Sequence, residues 1–220
     1  SPSPPWEQAS QMLWEDPDPE IIEARLFVLD SPFIAVGPTF REYAEPSFPP
    51  GRPLLEAVAD LNRRIYQDFK YDPHFTTVAT PLDEVLRERR GVCQDFAHLG
   101  IACLRGLGLA ARYVSGYLET LPPPGQPRLI GADASHAWLA VYVPGIGWAE
   151  FDPTNDCMPK TQHVTLAWGR DYGDVAPLTG VMTGGGSHSL KVSVDVAPVA
   201  EALAVKKFKP AANQAGTLES

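Results

Sequence analysis

The chain has 220 residues, of which 44% are hydrophobic, enough for one domain, alone or with appendages. No apolar run reaches the roughly 18 residues that a membrane-spanning helix needs, and the first residues, Ser1-Pro2-Ser3-Pro4-Pro5-Trp6, have neither the basic start nor the apolar stretch of a secretory leader. The formal charge of −9 argues against nucleic acid or an anionic membrane as the main partner.

Three cysteines, Cys93, Cys103 and Cys157, make an odd number without a C-x-x-C pair or a zinc-ligand cluster. The sequence therefore predicts no disulfide framework and no metal, and points to a reducing, cytoplasmic setting.

In chain order, the first 52 residues are rich in proline. Asp18-Pro19 predicts a capped helix with Ile21, Ile22, Leu26 and Leu29 as its apolar positions, ended by Pro32. Arg41 to Arg52 reads as an irregular loop. Leu54, Val58, Leu61, Ile65 and Phe69 then recur at three- and four-residue steps, predicting an amphipathic helix that ends near Tyr71-Asp72-Pro73. Thr80-Pro81 with Asp83 resembles a capping arrangement ahead of a short helix closed by Gly91. The segment Cys93–Leu107 is apolar nearly all round, the pattern of a helix buried in the middle of a domain.

Strands follow. Ala111–Leu118 carries β-branched and aromatic residues, and His136–Val143 alternates, with Ala137, Leu139, Val141 and Val143 on one face. Trp148–Asp152 is joined to it by the hairpin turn Pro144-Gly145-Ile146-Gly147. A last strand is predicted at Leu190, Val192, Val194 and Val196. Helices first and an antiparallel sheet later make an α+β domain with a central buried helix packed on the sheet. The boundaries expected are a proline-rich linker with short helices at 1–52, a core at 53–198 and a peripheral tail at 199–220, with basic Lys206, Lys207 and Lys209 in the tail. Gly184-Gly185-Gly186 lacks the context of a phosphate loop. Pro122-Pro123-Pro124-Gly125 reads as a mobile rim near the site.

Cys93 begins the buried helix just after Gly91. Unpaired N–H groups and partial positive charge at a helix start favour a thiolate, and the backbone N–H of Cys93 is placed to meet an oxyanion. The alternative is that Cys93 is a small buried hydrophobe, as most free cysteines are. His98 lies five residues further, about 140° round the helix from Cys93, so it reads as structural. Asp95 reads as a complement to the first helical turn. A base must come from the sheet. His136 and Asp152 sit near the same end of the hairpin, where a carboxylate would fix the tautomer of an imidazole and stabilise its charged form. Trp138 and Tyr142 share the face of His136 and read either as a cleft wall or as core. Cys103 reads as core, and Cys157 has no base in reach.

The runs GVCQDFAHLGIACLRGLGLAARYVSGYLET, DASHAWLAVYVPGIGWAEFDPTND and RDYGDV closely resemble the bacterial transglutaminase-like superfamily, with the match densest from Leu54 to Tyr172. The resemblance implies a papain-like fold and a Cys-His-Asp triad at Cys93 in GVCQDF, His136 in SHAW and Asp152 in FDPTN. It also implies an aromatic residue near the oxyanion, for which Tyr71 in FKYDP is the candidate; the other reading of Tyr71 is helix-end packing. Such relatives carry an N-terminal β-sandwich-like domain before a proline-rich linker, and this chain starts at what resembles that linker, as a fragment would. The function expected is acyl transfer on amide bonds of a protein or peptide through a thioester, without a cofactor. Hydrolysis by a protease or amidase is favoured over a transglutaminase using a lysine amine. The alternatives are an amidase on a small molecule or glycan-linked asparagine, and a non-catalytic peptide-binding scaffold.

Overall fold

The computed structural model describes residues 3–78, 80–119 and 135–177, together with 180, 184, 194 and 196. Helices α1 (Trp6–Glu15), α2 (Pro19–Ala24) and α3 (Pro38–Ala44) precede α4 (Leu54–Asp68). The Asp18 carboxylate accepts from the Glu20 N–H and Pro19 opens α2, the start the sequence predicts. The expected loop at 41–52 is in part helical: α3 runs to Ala44 and a 3₁₀ turn spans Glu45–Ser47. The prolines there do not break structure because Pro38 and Pro46 each occupy a first-turn position, where no N–H is needed. Residues of this N-terminal stretch, among them Ala9, Ile34, Phe40 and Phe48, lie in the same apolar core as α4.

Leu54, Val58, Leu61 and Ile65 form the buried face of α4. The helix stops at Asp68, earlier than expected, because Phe69 turns extended and leads into β1 (Lys70–Tyr71). This short strand pairs in parallel with β2 (Arg90–Gly91), setting Tyr71 opposite Gly91. Between them, α5 (Leu82–Glu88) starts at Pro81 without a side-chain cap; the Thr80 hydroxyl instead accepts from the Thr77 N–H. Arg89, with φ of 55°, supplies the left-handed residue that ends α5 in place of Gly91.

The central helix α6 (Cys93–Gly106) is buried along nearly its whole length. It packs on a four-stranded sheet of β3 (Ala111–Leu118), β4 (Ser135–Val143), β5 (Gly147–Phe151) and β6 (His163–Gly169), ordered β5-β4-β3-β6 and antiparallel throughout. Ala137, Leu139, Val141 and Val143 face α6, as the alternation predicts. On the other face, Tyr142 joins Leu13, Ile21, Ala24 and Phe27 of the N-terminal segment, while Trp138 packs with Val114 and Ala140. The short α7 (Tyr172–Val175) follows β6. Among the described residues no helix is long and apolar enough to cross a membrane.

Two features of this frame bear on the site. The buried guanidinium of Arg105 on α6 donates to the carbonyls of Phe27, Ala111 and Arg170 and to the Ser31 hydroxyl, joining the N-terminal segment to the sheet. A bulge between Ser115 and Gly116 shifts the β3–β6 register: Ser115 faces Ala167, but Gly116 faces Thr165, so Leu166 is the extra residue. The strand predicted at 190–196 lies almost wholly outside the described residues, as do the Pro122–Gly125 rim, Gly185, Gly186 and the 199–220 tail.

Candidate active site

Cys93 occupies the first turn of α6, where the backbone is tied tightly. Asp95 reaches back to accept from the Val92 N–H at 2.8 Å and also accepts from the Thr76 hydroxyl at 2.6 Å. Burial raises the Asp95 pKa, and these two bonds partly counter it. Gly91 is required by this arrangement, since a Cβ there would stand 2.7 Å from the Asp95 carboxylate. The expected role of Asp95 in the first turn is what the structure shows.

His136 is the second residue of β4, opposite Gly116, and Asp152 follows β5 directly. Leu139 pairs with Phe151, so the position across from Asp152 is Trp138 and His136 is its diagonal neighbour on the same face. His136 Nε2 and Asp152 Oδ2 are 2.7 Å apart. Cys93 lies near enough to the same imidazole to help raise its pKa. With Nε2 engaged by Asp152, Nδ1 is the ring nitrogen left for the sulfur.

Burial disfavours the charged imidazole, but bonds and charge from Asp152 and Cys93 outweigh it and raise the His136 pKa to about 9. Asp152 is fully buried. Burial alone would raise its pKa, yet the bonds and charge of His136, with Asn155 and His163, hold it below the ordinary carboxylate range. Its Oδ1 accepts from the Thr154 N–H at 2.9 Å and the Asn155 N–H at 3.3 Å, and its Oδ2 from the Asn155 amide at 2.6 Å. Asp152 is thus both a turn residue before Pro153 and the carboxylate beside the imidazole.

The description "Transglutaminase-like superfamily" belongs to the family model that matches residues 41–153. The chain belongs to the transglutaminase-like superfamily. A Mycobacterium tuberculosis protein, Rv2569c, is 49% identical over 193 residues, covering 84% of this chain and 62% of the relative. This chain therefore spans less than two thirds of that protein's length. ML0607 of Mycobacterium leprae is 34% identical over 199 residues, 89% of this chain and 66% of its own. A crystal structure from Cytophaga hutchinsonii, named "Putative Cysteine Protease", is similar with a TM-score of 0.58 and 32% identity, covering 73% of this chain and 50% of the other. The papain-like α+β fold follows from these matches.

Within the superfamily fold, Tyr71 is half exposed, with its ring 6.4 Å from that of Phe96. Partial burial raises its pKa, and the nearby Cys93 and Asp95 charges add to the rise, so the phenol lies in the neighbourhood of the sulfur. His98 is structural, as its helical angle predicts: its Nε2 accepts from the Tyr172 N–H, and burial lowers its pKa to about 4. Cys103 is fully buried and burial pushes its thiol far up. Burial, then the charges of Asp152 and Asp156, raise the Cys157 thiol too. Trp138 is core, with its Nε1–H donating to Glu150.

Two members of the site were not singled out from the sequence. Asn155 donates to Asp152, and His163 Nε2 stands 3.0 Å from Asp152 Oδ2. His136 Nε2, Asp152 Oδ2 and His163 Nε2 lie within 4.8 Å of one another, a spacing that suits a divalent cation. However, these atoms are hydrogen-bonded to each other, and the buried His163 Nδ1 has no partner. A metal-bound imidazole normally donates that second nitrogen to an outer partner. The trio therefore fits a hydrogen-bonded brace better than a cation site.

Proposed function

We propose that the chain is a cysteine-dependent acyl-transfer enzyme that hydrolyses amide bonds of a peptide or protein. The observation that carries this reading is His136, held at 2.7 Å by the buried Asp152 and lying close enough to Cys93 for the sulfur to help raise its pKa. The likeness to the structure named "Putative Cysteine Protease" adds support.

The thiolate of Cys93 attacks the carbonyl carbon, and the oxyanion takes hydrogen bonds from the Cys93 N–H and from Tyr71. His136, protonated, gives its Nδ1 proton to the departing amine as the C–N bond breaks, leaving a thioester. Water then attacks; His136 takes its proton, the C–S bond breaks, and the acid leaves with the thiolate restored. Asp152 keeps the ring aligned and stabilises its charge throughout. These steps call for no cofactor. Water is the acceptor we favour because transfer to a lysine amine needs a dedicated second site. Three unpaired cysteines favour a reducing compartment.

The test is labelling by peptide and glutamine-mimicking electrophiles, read by mass spectrometry, with substrate turnover followed in the presence and absence of an amine. A covalent adduct on Cys93 and turnover independent of the amine are expected. No adduct on Cys93, or full turnover in Cys93→Ala, would overturn the reading.

A further inference from the structure

His163 takes no part in the chemistry above, yet the fold goes to some length to bring it to Asp152. On β6, Trp168 pairs with Val114 and stacks on Arg112, on the sheet face that carries Trp138. Strict alternation from Trp168 would turn His163, five residues away, to the opposite face. The bulge at Leu166 reverses this, so that His163, paired with Leu118, points to the Trp138 and His136 side. There its ring meets Trp138 edge-on at 5.2 Å and its Nε2 reaches Asp152 Oδ2 at 3.0 Å, the oxygen that also holds His136. Bulges beside active sites commonly re-aim one side chain in this way.

We infer that His163 is a positioning residue: its Nε2–H takes part of the charge on Asp152 Oδ2 and so limits how strongly Asp152 holds the protonated His136. A carboxylate oxygen shared among His136, His163 and the Asn155 amide offers less negative potential to each donor than one bonded to His136 alone. Among the described residues, the charged and titratable groups facing His136 are Cys93 from α6 and Asp152 after β5, with His163 behind Asp152 from β6. Tyr71 and Tyr113 face the sulfur, and Glu150 is tied to Trp138. Removing the His163 donor therefore leaves Asp152 to act more fully on His136. For the reaction, which rests on the function proposed above, the consequence is a ceiling on the pH at which His136 still carries its proton.

The experiment compares His163→Phe, which keeps a ring without a donor, with His163→Gln, whose amide can still donate. The His136 titration is followed by NMR in the Cys93→Ala background, and kcat/KM against pH in the parent with Cys93. His163→Phe is expected to move the His136 titration, and the alkaline limb of activity, upward by about half a unit or more, the scale of one lost hydrogen bond to a carboxylate. His163→Gln is expected to return both toward the parent. An unmoved His136 titration in His163→Phe would overturn the inference, whatever the activity. A shift by NMR without any turnover would uphold it while removing the proposed reaction. In the unsubstituted protein, nitrogen chemical shifts should show the His163 proton on Nε2; a proton confined to Nδ1 would also overturn it.

Discussion

Gly116 faces the carbonyl of Val164 across the β3–β6 bulge so closely that any Cβ would collide with it, and would also stand 2.7 Å from the Trp138 ring. Neither neighbour is a flexible side-chain tip. Gly116→Ala should therefore cost about 1–3 kcal/mol of stability through forced backbone shifts, measured by denaturant unfolding. Loss of the His163–Asp152 bond should accompany it. An unchanged midpoint would show that the bulge yields at no cost.

Cys93→Ala should abolish turnover with little effect on unfolding, since Cys93 is only partly buried at the helix start. In the parent, iodoacetamide should modify Cys93 far faster than Cys103, which is fully enclosed and whose thiol is pushed up by burial. Peptide mapping after brief treatment reads the difference; equal modification would argue against an activated sulfur.

Asp152→Asn should lower kcat by on the order of a hundredfold or more, because the amide presents the wrong partner to the imidazole tautomer. The same substitution should alter acid stability in a definite direction. The Asp152 pKa is held down in the folded protein, so its contribution is present above the ordinary carboxylate range and is lost as pH falls through the depressed value. Acid unfolding curves of the variant should lack that loss.

The His136 pKa is raised to about 9, with the opposite consequence. Stability from its protonated form is complete below its ordinary value of about 6.5 and fades as pH rises through about 9. Activity of a thiolate–imidazolium pair should decline over that same alkaline range. A kcat/KM profile that stays flat well above pH 9 would contradict the raised value.

Arg105→Met should destabilise by about 3–5 kcal/mol, since the carbonyls of Phe27, Ala111 and Arg170 lose their buried donor together. Burial already lowers the Arg105 pKa to about 10, against the opposing charges of Asp171, Asp30 and Asp174. A thermal melt within a few degrees of the parent would assign the bonds a minor role.

Much of the site was legible because its residues sit where local pattern is strong. The apolar run after Cys93 marks the central helix, and the alternation from His136 with the Pro144–Gly147 turn marks the hairpin. His163 escaped for a physical reason. Val164, Leu166 and Trp168 alternate as exposed apolar residues, while the bulge that turns His163 inward depends on contacts between strands distant in sequence. Asn155 was hidden in a turn whose composition predicts only a turn. Composition also misled at α3: prolines signal a loop unless their place in the first helical turn is known.

The Arg105 bonds and the shared core carry a practical corollary for anyone trimming this polypeptide. The matched family region starts at residue 41, but a version cut there would strip away Ala9, Leu13, Phe27 and Ile34 and leave a cationic side chain short of its acceptors in an opened interior. Such a product should clump on expression, and the smallest well-behaved unit should keep the amino-terminal helices.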